Sequence, residues 1–212
     1  MAELTLVPEM ENTFSIMEEM GTGVYDDLMK YYTDRRVLII NKDIDNSVIE
    51  SYAIRILRWN DEDKNILPEK RHPITLLIHS CGGDLFSTLF LIDIIKQSKT
   101  PICTVGMGLV ASAAYYIYIN GHKRLAFENT VFLQHDGTIS IADSNSKVKD
   151  FMAFNDLMEE RIKESILTQT KIDADFYDKT FDKEYYFFAD KGKELGVVDK
   201  IIGQDIELAD IF

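Results

Sequence analysis

Val105-Gly106-Met107-Gly108-Leu109-Val110-Ala111-Ser112-Ala113 decides how the rest of the chain is read. Residues 102–105 are apolar or small and read as the end of a buried strand. Gly106 and Gly108 predict a tight turn after it, because glycine accepts backbone angles that other residues resist. From about Ala111 the chain turns helical and apolar, through Ala114, Tyr115 and Ile117. Ser112 therefore stands where a strand has ended and a helix begins. The unpaired N–H groups and positive dipole end of such a helix favour a developing negative charge, so a nucleophilic hydroxyl is useful there. Taken alone, the stretch fits a plain N-cap serine after a glycine turn better. A second glycine turn, a histidine and a late acidic group elsewhere in the chain shift the balance.

Working outward, Val37-Leu38-Ile39-Ile40 is a short buried strand, and residues 74–78 form the next. Between them, Asp45 or Asn46 caps a helix whose apolar positions are Val48, Ile49, Ala53, Ile56 and Leu57. Residues 60–72 are charged and proline-containing, hence a solvent loop. Ser80-Cys81-Gly82-Gly83-Asp84 is a sharp turn, and residues 85–95, apolar around most of their circumference, predict a deeply buried helix. Gly121 ends the serine helix, and residues 131–133 form a fourth strand leading to His135. This alternation implies parallel strands with right-handed crossovers, an α/β fold. Ligands of such folds gather beyond the carboxyl ends of strands, where Gly82-Gly83, Ser112 and His135 all fall.

At the flanks, residues 1–23 read as an arm that orders in an assembly, and residues 25–32 as a short helix. Residues 24–212 read as one domain. Residues 144–170 form a long amphipathic segment with Val148, Phe151, Met152, Met158, Ile162 and Ile166 on one stripe. As a helix it would be about 37 Å long, enough to project from a small domain and serve an oligomer contact. Residues 181–188 are aromatic and extended, 189–195 a short helix and 196–202 a closing strand.

A net charge of −13 argues against a nucleic-acid or anionic-membrane surface. Cys81 and Cys103 match neither zinc spacing nor a disulfide framework and fit a reducing compartment. No basic, then apolar leader opens the sequence, and no run approaches the ~18 apolar residues of a membrane span. A cytoplasmic protein is expected. Cys81-Gly82-Gly83-Asp84 lacks the lysine of a phosphate-binding loop, and neither a metal nor a cofactor is expected.

The order of these motifs resembles the proteolytic subunit of the Clp protease, the ClpP family of serine peptidases. Ile78-His79-Ser80-Cys81-Gly82-Gly83 is similar to that family's I-N-S-P-G-G turn, and Gly108-Leu109-Val110-Ala111-Ser112-Ala113 to its G-x-A-A-S-M nucleophile motif. Phe132-Leu133-Gln134-His135 corresponds to its M-I-H-Q-P histidine, Glu194-Leu195-Gly196-Val197-Val198-Asp199 to its E-Y-G-L-V-D ending, and Leu6-Val7-Pro8 to an N-terminal triplet. The resemblance implies a ClpP/crotonase-like core, a repeated β-β-α spiral with residues 144–170 as a projecting handle helix. It implies Ser112 as nucleophile, His135 as general base, and Gly83 and Ala113 as oxyanion-hole donors. The family's aspartate, in a D-R-D-like run, falls on Glu184 of Asp182-Lys183-Glu184; if the segment is extended, Asp182 shares its face and is the alternative acid. Cys81 stands where the family has proline, Lys183 where it has arginine, and Asp136-Gly137-Thr138 replaces its Q-P.

The function expected is a serine endopeptidase of unfolded polypeptides or peptides inside a homo-oligomeric chamber of heptameric rings stacked in pairs. The handle helix would make the ring–ring contact, and an AAA+ unfoldase would supply the only use of ATP. Two rivals differ in class: a catalytically inert ring or scaffold subunit, and a crotonase-like acyl-CoA enzyme.

Overall fold

Two strands of the most apolar sequence set the frame. In the computed structural model, which describes residues 22–211, β2 (Ile74–Ser80) and β3 (Ile102–Ala111) lie parallel, from Ile74 opposite Ile102 to Ile78 opposite Gly106. With β1 (Val37–Ile40), β4 (Lys123–Phe127) and β7 (Lys200–Ile202) they give the order β1-β2-β3-β4-β7. β3 changes partner along its length. Cys103–Gly106 pair with β4, and Leu109–Ala111 pair with β5 (Val131–Gln134). β6 (Tyr185–Phe188) then runs antiparallel to β5, completing a mixed α/β fold in which parallel pairs dominate.

Contacts divide the chain into two compact units, Met1–Val37 and Leu38–Phe212. The first holds α1 (Thr22–Asp34), longer at both ends than the helix expected over 25–32. The rest of the expected arm, with Leu6-Val7-Pro8, lies outside the described residues. The second unit holds the sheet and the helices that cover it. Among the described residues, no helix is long and apolar enough to cross a membrane.

At its centre is α4 (Ala113–Ile119), all seven residues of which are buried. Tyr115 and Tyr118 pack on Phe132 of β5, and Phe132 stacks on Phe187 of β6 with ring centroids 5.4 Å apart. α3 (Leu85–Gln97) starts at Asp84, whose carboxylate accepts the Ser87 N–H at 2.7 Å. α5 (Asn145–Gln169) buries Asn155, Met158, Ile162 and Ile166. α6 (Ala174–Thr180), β6 and α7 (Ala189–Glu194) lead to β7, where Asp199 pairs with Arg124 of β4 at 2.5 Å.

Several sequence expectations are corrected. Gly106 and Gly108 make no turn between strand and helix; β3 runs through both. Gly106 is needed for close packing, since a Cβ there would lie 3.0 Å from Thr130 Cγ2 and 3.3 Å from Phe132 Cζ. Gly108, at φ +59°, sits in a bulge where three residues of β3 face one of β2, His79. The Leu109 N–H donates to His79 Nδ1 at 3.1 Å, so that imidazole fills the bulge. Residues 131–134 are the fifth strand, because β4 opens on Lys123-Arg124 and hides behind its charges.

A π-helical turn over Ile49–Ala53 precedes α2 (Ile54–Glu62). Val48, Tyr52, Ala53, Ile56 and Trp59 are buried, while Ile49 and Leu57 are exposed. α3 buries only one face, leaving Phe86 and Phe90 in solvent, and the stripe on α5 breaks at the exposed Met152.

Candidate active site

Ser112 links β3 to α4 with φ +52° and ψ −125°, in a region that costs a non-glycine residue about 1–3 kcal/mol. Its position is that of an N-cap, but its side chain caps nothing. The plain capping role is thereby removed. Its N–H donates to the Leu133 carbonyl at 3.0 Å, fixing the elbow to β5. Among the described residues the hydroxyl has no hydrogen-bond partner, which leaves it presented at the end of the strand, as in a nucleophile elbow.

The glycine turn lies against this elbow. A Cβ on Gly82 would come within 2.8 Å of Ser112 Cβ and 3.0 Å of the Ala113 nitrogen. Beside it, the Ile44 N–H donates to the Gly82 carbonyl and the Asp84 N–H to the Ile44 carbonyl, both at 2.7 Å. These bonds bracket Gly83 in a parallel bridge to Ile44, so the N–H of Gly83 itself points away from Ile44. A side chain at Gly83 (φ +144°) would fall 2.2 Å from the Ile44 oxygen. Only glycine fits. The N–H of Ala113, first in its helix, has no intrahelical acceptor.

His135 follows directly on β5. The antiparallel register sets Gln134 opposite Tyr185, and one step further His135 faces Glu184. The side chains meet, with imidazole Nδ1 and Glu184 Oε1 2.8 Å apart. The imidazole is largely buried, whereas the Glu184 side chain is 58% exposed. Asp182 stands apart: residues 181–183 form a turn after α6, so the extended backbone that would put Asp182 and Glu184 on one face does not exist. The Asp136 N–H donates to the Phe181 carbonyl at 2.8 Å and closes this turn over the histidine.

A residue that the sequence did not single out completes the support. The Tyr116 hydroxyl donates to the His135 carbonyl at 3.0 Å. Burial, with Asp136 and Glu159 nearby, raises its pKa above the usual tyrosine value of 10, so it stays a donor. No sequence motif marks such a tether from a side chain to a backbone carbonyl.

Ser112, Ala113, Gly83 and His135 line one cleft of about 510 Å³. Among the described residues the Ser112 hydroxyl and His135 make no direct hydrogen bond. Cys81 is exposed on the cleft wall, and Cys103 is buried. His122 Nδ1 accepts the Ile102 N–H at 2.8 Å, a structural role like that of His79. Among the described residues, no group of three or more His, Cys, Asp and Glu side chains is arranged to hold a metal.

A strained serine elbow, a glycine bridge and a carboxylate-held histidine thus share a cleft at the carboxyl ends of parallel strands. The model of the Clp protease family matches residues 19–205. The chain belongs to the Clp protease family. Among curated members, it is 27% identical over 188 residues to the ATP-dependent Clp protease proteolytic subunit 2 of Treponema denticola, covering 87% of this chain and 91% of that one. It is 24% identical over 191 residues to the subunit of the same name from Corynebacterium efficiens, covering 86% and 89%. A solved structure of a ClpP1 mutant from Listeria monocytogenes superposes with a TM-score of 0.72 at 24% identity, over 87% of this chain and 99% of that one. This likeness supports the Clp protease fold.

Proposed function

We propose that this Clp protease family member is a serine endopeptidase. The observation that carries the proposal is the 2.8 Å contact of His135 Nδ1 with Glu184, in the cleft that holds an uncommitted hydroxyl on a strained elbow. A carboxylate on Nδ1 keeps the proton on that nitrogen and leaves Nε2 to take the Ser112 proton. Ser112 Oγ then attacks the peptide carbonyl, and the Gly83 and Ala113 N–H groups accept the charge formed on its oxygen. His135 passes the proton to the leaving amine, and water releases the acyl group by the same route in reverse. Each oxyanion donor in such a site is worth ~10²–10³ in rate, so the glycine bridge ranks below the nucleophile and base but beside the carboxylate.

The names of the relatives point to work with an ATP-driven partner, and we assign this chain the same place: an oligomeric chamber fed by an AAA+ unfoldase. The exposed Met152, Phe154 and Leu157 on α5 suit a contact between rings. The open Ser112–His135 contact favours a second reading, a ring subunit that lacks its own chemistry. A serine-reactive β-lactone separates the two. Labelling that Ser112→Ala abolishes supports the peptidase; equal labelling of both proteins, or of neither, supports the inert subunit.

A further inference from the structure

The cleft beside Ser112 is not uniformly apolar. Tyr116, Phe151, Met158, Ile162 and Phe181 form an apolar sleeve, and Glu159 stands in its wall. On α5, Asn155, Met158, Glu159 and Ile162 recur at helical spacing on the face turned to this cleft. Asn155 is buried at 6% exposure, and its Nδ2 donates to Glu159 Oε1 at 2.7 Å. One carboxylate oxygen is thereby held in place, and no hydrogen bond or ion pair engages the other among the described residues.

Among the described residues, no cation pairs with Glu159. Lys163, one turn on, pairs with Asp178. Arg161 lines a different hollow with Leu89 and Asp93. The other carboxylate of the cleft, Asp84, is engaged in capping α3. A carboxylate held by one oxygen, with the other free towards a largely apolar cleft, is a ready partner for a cationic ligand.

We propose that this cleft selects peptides with lysine or arginine as the residue whose carbonyl is attacked, and that Glu159 determines this specificity. The aliphatic stem would lie along Met158, Ile162 and Phe181, with the cationic head on the free oxygen of Glu159. The proposal rests on the peptidase reading of Ser112 and names the substrate class of that site.

Two measurements test it. The first is binding, by fluorescence anisotropy, of N-acylated tetrapeptides ending in Lys, Arg, Leu or Glu to the Ser112→Ala protein. The second is cleavage of the matched fluorogenic peptides by wild type. Lys and Arg peptides should bind and be cleaved at least about tenfold better than Leu, and the Glu peptide worst. Glu159→Gln should reduce the Lys-to-Leu ratio by about 10–100-fold, the range for loss of a charge-assisted bond. Glu159→Lys should shift the preference towards Glu. Equal binding of Lys and Leu peptides, or an unchanged ratio in Glu159→Gln, overturns the proposal. Selective binding by Ser112→Ala, with neither cleavage nor β-lactone labelling of wild type, would leave recognition standing and end the peptidase reading.

Discussion

Replacing Glu184 by glutamine removes one negative charge from a side chain that touches the His135 imidazole at 2.8 Å. During attack that imidazole becomes a cation, with its charge centre about 4 Å from the carboxylate. At an effective dielectric constant near 20 the pair gains about 4 kcal/mol, and in bulk water about 1 kcal/mol. Glu184 is 58% exposed, so the loss falls between these limits, near 2–3 kcal/mol, or about 10²-fold in kcat. This is less than the ~10⁴ lost when a buried triad aspartate becomes asparagine. KM should change little, since the charge acts on the transition state. The assay is hydrolysis of a fluorogenic peptide at saturating concentration, with Asp182→Asn as the control. A Glu184→Gln enzyme with wild-type kcat would refute the assignment of the acid. So would an equal fall in Asp182→Asn.

Three other outcomes are expected. Tyr116→Phe strips the donor from the His135 carbonyl; kcat should fall about tenfold, and stability by about 1–3 kcal/mol in urea titration, for an unpaired polar group. Native protein should take up one equivalent of iodoacetamide at neutral pH, at the exposed Cys81, with a second on unfolding. Burial pushes the Cys103 thiol up to about 11 and keeps it unreactive, and mass spectrometry of the Cys81→Ser variant reads the difference. Burial lowers the pKa of His122 from 6.5, so below pH 6.5 the unfolded chain takes a proton that the folded one resists. Stability should therefore fall with pH from about 6.5 downwards, and His122→Gln should flatten that part of a melting-temperature profile.

The placement of Ser112 and the glycine turn at strand ends was legible, because strand–helix alternation in an α/β chain leaves few other arrangements. His135 was legible for the same reason. The choice between Glu184 and Asp182 was not. It depends on a turn at residues 181–183, closed by the Asp136–Phe181 bond across 45 residues of chain. Gly106 and Gly108 carry the usual mark of a turn, and only the Thr130 and Phe132 side chains against one, and His79 against the other, show that the strand continues. Leu57 is apolar and four residues beyond the buried Ala53, yet it faces solvent, because nine residues, or two and a half turns, set it opposite Val48. The tether from Tyr116 joins a side chain to a backbone carbonyl and so had no motif to announce it.

The change of partner along β3 bears on how the groups of the proposed triad keep their alignment. Imidazole and carboxylate ride on one ribbon, β5 with β6, joined to β3 by three residue pairs beyond the bulge, while the hydroxyl belongs to the trunk that bears the ribbon. Acid and base therefore travel as a preassembled piece, whatever the ribbon does. One separation then remains, from that piece to the hydroxyl, and the bond from the Ser112 N–H to the Leu133 carbonyl is the pin that sets it.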